Sequence, residues 1–314
     1  MRFFAPLVLL IAAQVFALDA VGRMERLQIG GEWCFIRHPA RNLHAGEAIV
    51  ILHGNGHTVE STTSTWEQQR SLRGLMDRLS AAGYLIAQSN HTATRSNGMW
   101  GNPESCRSVV ALMRHLENSG VRRFHAISNS AGNLVLLNLL LSGQARFESA
   151  AAIAGVVSLE SMYRCPAGAN RVTGIAEAFA FSPASRCPGN PGSDTSFRNA
   201  TADYDPLRRM QSMSDGEIRR LLGNTRWLGL YETRDPKVLP EENILAFARR
   251  LKTAGVAVEL RSLDLATHGA GELFDSFTPE ILRVLSGSRA ENSAQARIFI
   301  PTPIFDSAYW VSRR

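Results

Sequence analysis

The sequence predicts an α/β domain with a doubly wound, mostly parallel sheet and a lid or cap insertion. Short, continuously apolar runs alternate with segments whose apolar residues recur at helical spacing, which is typical of a parallel sheet covered on both faces. The chain has 314 residues, 45% apolar and 20% charged, enough for a large hydrophobic core. The alternation lapses over residues 161–224, a stretch long enough to form a lid or cap.

The first half of the chain shows the alternation in order. Residues 27–39, "LQIGGEWCFIRHP", predict an antiparallel hairpin, and "AIVILHGNG" is an apolar run that ends in glycine-rich sequence, as buried parallel strands do. "WEQQRSLRGLMDRLSAAG" has helical spacing and ends in Gly83, and "YLIAQSN" follows as a strand. These segments form one βαβ unit.

The same pattern continues to residue 265. "PESCRSVVALMRHLENSG" predicts a helix, "FHAIS" a strand, and "AGNLVLLNLLLSG" a helix too short to span a bilayer. "SAAAIAGVVSL" and "RWLGLYE" predict further strands on either side of the insertion, followed by the helix "EENILAFARRLKTAG" and the strand "VAVELRSLDL".

The two ends of the chain differ from this domain, which we assign to residues 18–285. Residues 1–17 predict a signal peptide, with Arg2 before an apolar stretch and a cleavage site after Ala17, so we expect a secreted or periplasmic protein. The apolar stretch is shorter than the roughly 20 residues of a membrane span, so no stable membrane insertion is expected. Residues 286–314 predict a linker and an apolar tail that packs on the domain or on a partner subunit, in the latter case as a homodimer.

The four cysteines suit an oxidising compartment. Cys34, Cys106, Cys165 and Cys187 form an even set without the CxxC spacing of a zinc site. We predict a Cys165–Cys187 bridge, which would stabilise the fold by about 3 kcal/mol through loop closure. Whether Cys34 pairs with Cys106 is left open.

The net charge of +6 is carried almost wholly by arginine, because Lys237 and Lys252 are the only lysines. The arginines are scattered and form no basic run of the kind that binds nucleic acid. A nucleic-acid partner is therefore not expected.

The stretch "HAISNSAGN", residues 125–133, places Ser130 between a predicted strand and a predicted helix. A nucleophilic serine on such a sharp turn needs small neighbours two positions away, and Gly132 and Ser128 meet that need, although glycine is the usual residue at the Ser128 position. The alternative is a serine that only caps the helix.

A catalytic serine requires a base, which is usually histidine oriented by a carboxylate. His268 is the only histidine after Ser130 and follows the last predicted strand, so it is the predicted base. The alternative for a lone histidine is a surface or core position. His53 lies in an earlier loop and is predicted to brace its turn.

The acid is predicted to lie between the serine and the histidine. Asp235 follows the strand "RWLGLYE" and is the first choice, with Glu232 the main alternative and Asp264 a third candidate. Four aspartates of the insertion are expected to be solvated: Asp194, Asp203, Asp205 and Asp215.

The developing oxyanion needs hydrogen-bond donors. The turn "HGNG", residues 53–56, follows the first parallel strand and can direct backbone N–H groups at the substrate oxygen. We predict the N–H groups of Asn55 and Ala131 as the two donors.

Together these motifs resemble the α/β-hydrolase superfamily and, within it, the secreted serine esterases and lipases. The resemblance runs from Glu25 to Leu285 and rests on "HGNG", "SNSAG", "TRDPKVLP" and "THGAG" in the order serine, aspartate, histidine. It implies an eight-stranded sheet, no organic cofactor and no catalytic metal.

The predicted function is therefore that of a secreted serine hydrolase that cleaves small-molecule or polymeric carboxylic esters. An amide, peptide or polymer hydrolase would use the same triad and is the first alternative. A non-catalytic binding module is the second, because a fold does not dictate function, although such proteins usually lack a triad member.

Overall fold

The computed structural model describes residues 22–41, 43–60, 69–91, 100–164, 170–185 and 193–287. The predicted signal peptide and the tail after residue 287 lie outside the described residues. The centre of the molecule is an eight-stranded sheet. Its strands are β1 (Met24–Ile29), β2 (Glu32–Arg37), β3 (Glu47–Leu52), β4 (Leu85–Ser89), β5 (Arg123–Asn129), β6 (Ser149–Ile153), β7 (Arg226–Glu232) and β8 (Val258–Leu263).

The strands lie in the order β1-β2-β4-β3-β5-β6-β7-β8. The predicted hairpin is the antiparallel pair β1 and β2, and β2 is antiparallel to β4, whereas the pairs from β4 through β8 are parallel. The chain passes from β3 to β4 on one side and later to β5 on the other. Ligands of open α/β sheets bind at such a reversal, beyond the carboxyl ends of the strands.

The described helices cover both faces of this sheet. They are α1 (Arg70–Ala81), α2 (Pro103–Asn118), α3 (Gly132–Leu141), α4 (Leu159–Tyr163), α5 (Asn170–Ala178), α6 (Thr195–Ala200), α7 (Pro206–Ser212), α8 (Asp215–Leu222), α9 (Ile244–Thr253) and α10 (Ala270–Ser286). The backbone of α10 departs from helical geometry at Phe277, two residues before Pro279. None of the helices in the described ranges is long and apolar enough to cross a membrane.

Strand β3 shows why the sheet is doubly wound. All six of its residues are buried, because successive side chains point to opposite faces and each face carries its own apolar core. Ala48, Val50 and Leu52 belong to the cluster that includes residues of α2, α3 and α9, while Ile49 and Ile51 belong to the cluster formed with α1 and α10. The predicted doubly wound, mostly parallel sheet is confirmed.

Within the described residues, the segment 161–224 consists of short helices joined by turns and irregular backbone. Its C-terminal part belongs to the main core, where Met210, Ile218 and Leu222 are buried in the same cluster as α3. The earlier helices contribute to a separate apolar cluster. That this earlier part acts as a lid or cap stays a prediction.

Two of the four aspartates expected to be solvated are buried instead, so that expectation was wrong for Asp194 and Asp205. Each accepts a hydrogen bond at the start of a helix, Asp194 from the backbone N–H of Phe197 and Asp205 from that of Arg208. Unbonded N–H groups at helix starts favour such carboxylates.

Cys34 and Cys106 are both free thiols inside the protein, so these two do not pair. Burial raises the pKa of the Cys34 thiol to about 11 and that of Cys106 to about 12. The predicted Cys165–Cys187 bridge falls outside the described residues.

Candidate active site

Ser130 occupies the turn between β5 and α3 in a left-handed backbone conformation, with φ of 49°. Such a conformation is unfavourable for a side chain with a Cβ atom and persists only when its surroundings enforce it. The Ser130 N–H donates to the Ile153 carbonyl, and its own carbonyl accepts from the N–H groups of Asn133 and Val156. The turn therefore holds the hydroxyl above the sheet.

The close packing of this turn explains the glycine that follows it. A Cβ atom at Gly132 would lie 2.1 Å from the Leu52 carbonyl oxygen and 2.6 Å from that of His53, both at the end of β3. On the other side, a Cβ atom at Gly54 would come within 3.0 Å of the Cβ of Ser130. The nucleophile turn and the "HGNG" turn thus pack backbone against backbone.

Ser128 stands where the serine-hydrolase turn usually has glycine, and its environment accommodates the hydroxyl. The buried Ser128 Oγ donates to Asn133 Oδ1 at 3.0 Å. The Asn133 amide in turn donates to the Val156 carbonyl at 3.1 Å. The substitution is compatible with the turn because the polar group it buries is hydrogen-bonded.

His268 lies in the loop between β8 and α10 and reaches Ser130 across the sheet edge. Its Nε2 atom is 3.0 Å from Ser130 Oγ, and its Nδ1 atom is 2.6 Å from Asp235 Oδ2. Only 14% of the His268 side chain is exposed. The structure therefore places His268 next to the predicted nucleophile and not at an unrelated surface or core position.

Asp235 lies in the loop after β7, and its second oxygen is also bonded. Asp235 Oδ1 accepts hydrogen bonds from the backbone N–H groups of Lys237 at 2.7 Å and Val238 at 2.9 Å. These two bonds orient the carboxylate toward the imidazole. Asp264, the third candidate, is exposed and pairs with Arg234.

Glu232, the main alternative acid, is the last residue of β7 and is fully buried. Its Oε1 atom accepts from the Thr267 hydroxyl at 2.8 Å and from the Gly269 N–H at 3.2 Å. Glu232 thus bonds to the residues on both sides of His268, whereas Asp235 bonds to the imidazole itself.

Glu232, Asp235 and His268 bring two carboxylates and an imidazole together, with one ligand atom of each within 4.8 Å of the others. A set of this kind could in principle hold a divalent cation. Here, however, the Asp235 and His268 atoms bond to each other and the Glu232 carboxylate bonds to the histidine loop. The potential ligand atoms of this cluster are thus hydrogen-bonded to one another and to the histidine loop.

His53 braces its turn, as the sequence predicted. It is fully buried, its Nδ1 lies 3.0 Å from the Gly54 carbonyl oxygen, and its ring stacks on that of His91 with centroids 3.9 Å apart. Burial lowers the pKa of His53 to about 4, so the ring is neutral at pH 7. His53 is thus a structural residue of the turn.

The predicted oxyanion donors lie on either side of the nucleophile. Asn55 is in the turn that packs against Ser130, and Ala131 follows Ser130 directly. Within the described ranges, no residue accepts a hydrogen bond from the backbone N–H of Asn55 or Ala131. Both groups remain predicted donors.

No protein-family model and no curated protein sequence matches this chain. Solved structures do match it. One is a puromycin-hydrolyzing peptidase of Mycobacterium tuberculosis, with 18% identity, 82% of this chain and 39% of that chain covered, and a TM-score of 0.59. Another is an acylaminoacyl peptidase of Pyrococcus horikoshii, with 13% identity, coverage of 86% and 42%, and a TM-score of 0.61. This chain has the α/β-hydrolase fold.

The α/β-hydrolase structures that resemble this chain differ in length. The chain spans only about two fifths of the two peptidases. An esterase of Pyrococcus furiosus is matched over 94% of its length and 86% of this chain, with 13% identity and a TM-score of 0.56. At these identities the likeness establishes the α/β-hydrolase fold alone.

One contact to the acid loop of this α/β-hydrolase domain was not anticipated from the sequence. Arg171 of α5 donates from Nη1 to the Lys237 carbonyl at 2.6 Å and lies within electrostatic range of Asp235. It links a helix of the predicted cap to the loop that holds the acid. Nothing in the local sequence distinguishes Arg171 from the many scattered arginines.

Proposed function

We propose that this protein is a serine hydrolase that cleaves carboxylic esters through an acyl-enzyme intermediate. The observation that carries the proposal is the hydrogen-bonded series from Ser130 Oγ through both nitrogens of His268 to Asp235 Oδ2, at 3.0 and 2.6 Å. The left-handed turn that presents Ser130 supports it.

In the proposed reaction, His268 Nε2 takes the proton of Ser130 as Oγ attacks the ester carbonyl. The N–H groups of Asn55 and Ala131 bind the oxyanion. The imidazolium then gives its proton to the leaving alcohol, and Asp235 stabilises that cation and holds its tautomer. Water, activated by the same imidazole, hydrolyses the acyl-enzyme to free acid and restores Ser130.

The proposed substrate is a small-molecule or polymeric ester with a short to medium acyl group. The apolar cluster beside the site includes Ala131 and helices α4 to α6, with Phe179 and Phe181 only partly buried. Apolar side chains next to a nucleophile favour an acyl or aromatic substrate group. Ile175 of α5 is fully buried among these helices and supports them.

Amide or peptide cleavage is the second candidate, because four of the similar structures are those of peptidases. An alcohol leaves with less help than an amine, so a site with one base and two backbone donors favours esters.

We also propose that the protein is exported to the periplasm or the medium, that Cys165 and Cys187 form a disulfide, and that the C-terminal tail packs on the domain or on a partner subunit.

The test uses the purified chain without its signal segment. A serine-directed phosphonate should label Ser130, and a panel of acyl esters, amides and polyesters should show hydrolysis of short to medium acyl esters. Cleavage of amides with untouched esters would favour the peptidase candidate. Absence of both labelling and turnover in folded protein would leave the non-catalytic alternative.

A further inference from the structure

Glu232 is a buried carboxylate that the proposed reaction does not use. It ends β7 with no exposed surface, and its carboxylate faces the loop that carries His268. Burying a carboxylate is costly unless it is hydrogen-bonded or paired with a positive charge. The hydrogen-bond partners of Glu232 therefore indicate why a carboxylate is buried there.

The contacts of Glu232 flank the catalytic imidazole on both sides. Oε1 accepts from the Thr267 hydroxyl at 2.8 Å, and the Gly269 N–H lies 3.2 Å from Oε1 and 3.3 Å from Oε2. The Thr267 side chain on one side of His268 and the Gly269 backbone on the other are thus bonded to a single carboxylate. A loop bonded in this way has little freedom to rotate His268 away from Ser130.

Two other titratable groups act on Glu232. Asp235, in the loop after β7, is a like charge, and His268 is the group that becomes positive during the proposed reaction. Glu272 in the first turn of α10 also approaches the Gly269 backbone, with Oε2 2.9 Å from where a Cβ atom would stand. Two buried carboxylates therefore lie beside the His268 imidazole.

We propose that Glu232 is a positioning residue. It keeps the loop that carries His268 in place beside Ser130, and it adds a second negative charge that stabilises the His268 imidazolium. This inference rests on the proposed function. Glu232 acts through His268 and does not touch the reacting atoms.

The surroundings of Glu232 act on its pKa in both directions. Burial, and to a smaller extent the Asp235 charge, raise the pKa, while hydrogen bonds from Thr267 and Gly269 and the nearby histidine favour the ionised form. The two carboxylates repel each other most when His268 is neutral. Formation of the imidazolium relieves that repulsion, so the arrangement favours the transition state over the resting state.

The test compares Glu232→Gln with Asp264→Asn, which removes an exposed carboxylate of the neighbouring loop. Glu232→Gln should lower kcat roughly 10- to 100-fold with KM within about twofold, because the imidazole is less well placed. The midpoint of the acid limb of kcat/KM should move to lower pH by at least about 0.3 unit, because a charge that favours the imidazolium is gone. Asp264→Asn should change neither value.

A Glu232→Gln enzyme with kcat/KM within twofold of wild type would overturn the inference, as would a loss of kcat with an unmoved acid limb. If Glu232→Gln does not fold, Thr267→Val, which removes one of the donors, should give a smaller loss of kcat, and unchanged kcat would count against the proposal. The downfield proton resonance of the His268–Asp235 hydrogen bond gives a readout that does not need turnover. Wild-type protein that neither labels nor turns over would refute the proposed function, whereas active wild type with unaffected variants would refute only the role of Glu232.

Discussion

His268 Nδ1 lies 2.6 Å from Asp235 Oδ2, although 33 residues separate the two along the chain. Their loops follow β8 and β7, which are parallel neighbours with Glu232 paired to Leu263 at their ends. Parallel strands bring their carboxyl ends to one edge of the sheet, where Ser130 also follows β5. The strand order therefore brings the side chains of Ser130, Asp235 and His268 together.

Ser130→Ala should abolish phosphonate labelling and reduce turnover by several orders of magnitude, because no other group replaces the nucleophile. Circular dichroism and Tm should stay close to wild type. Ser128→Ala is the matched control: it removes the hydrogen bond to Asn133, should cost about 1 kcal/mol of stability and should keep labelling. Labelling that persists in Ser130→Ala would contradict the assignment.

Asp235→Asn should lower kcat by about 10⁴-fold with little change in KM, because the amide favours the wrong imidazole tautomer. The loss should exceed that of Glu232→Gln, since only Asp235 touches the imidazole. Steady-state kinetics on both variants decides the point. A nearly normal Asp235→Asn beside an inactive Glu232→Gln would assign the acid to Glu232.

Gly132→Ala should be insoluble or destabilised by about 4 kcal/mol or more, because its Cβ would overlap the Leu52 carbonyl oxygen at 2.1 Å. Gly74 in α1 has open space around its Cβ position, so Gly74→Ala should stabilise the protein by about 0.5–1 kcal/mol. Urea unfolding measures both changes. A Gly132→Ala protein of wild-type stability would show that the turn packs less closely than described.

Stability should fall as the pH drops from about 6.5 toward 4, because the pKa of His53 is lowered to about 4 and that of His91 lies well below its ordinary value, both through burial. In this window the unfolded chain binds protons that the folded chain does not, so the free energy of unfolding decreases with decreasing pH. Above the pKa of histidine in the unfolded chain, these two residues cause no loss of stability, because they are neutral in both states.

Urea unfolding at several pH values tests this prediction. His91→Phe keeps a ring on His53 and should make the dependence shallower, whereas His115→Gln on α2 should retain the wild-type slope. A free energy of unfolding that is flat between pH 7 and 5 would contradict the prediction.

Cys34 and Cys106 should resist alkylation in native protein at pH 8 and react after unfolding, because burial raises the pKa values of their thiols to about 11 and about 12. If the protein is exported as we propose, peptide mapping of the exported fraction should also find Cys165 linked to Cys187. Rapid native alkylation of Cys34 would contradict the first expectation. Free thiols at Cys165 and Cys187 would overturn the second and weaken the case for export.

The fold could be predicted from the sequence because a buried strand requires a local run of apolar residues. A strand covered on both faces, such as β3, is apolar over most of its length, here from Ala48 to Leu52, and that run is visible without a structure. Ser130 and His268 could be identified in the same way: one has small neighbours on a strand-to-helix turn, and the other is the only histidine after it. Both signals are local or depend only on chain order.

Tertiary structure decided which of Asp235 and Glu232 bonds to the His268 imidazole. The two carboxylates are three residues apart, and their directions depend on the strand pairing of β7 and on backbone N–H groups that bond Asp235 after the chain has turned. The same holds for the burial of Asp194 and for the tether from Arg171 to the acid loop. A side chain's type is local, but the partners that orient it come from distant segments, and only the packed fold brings those segments together.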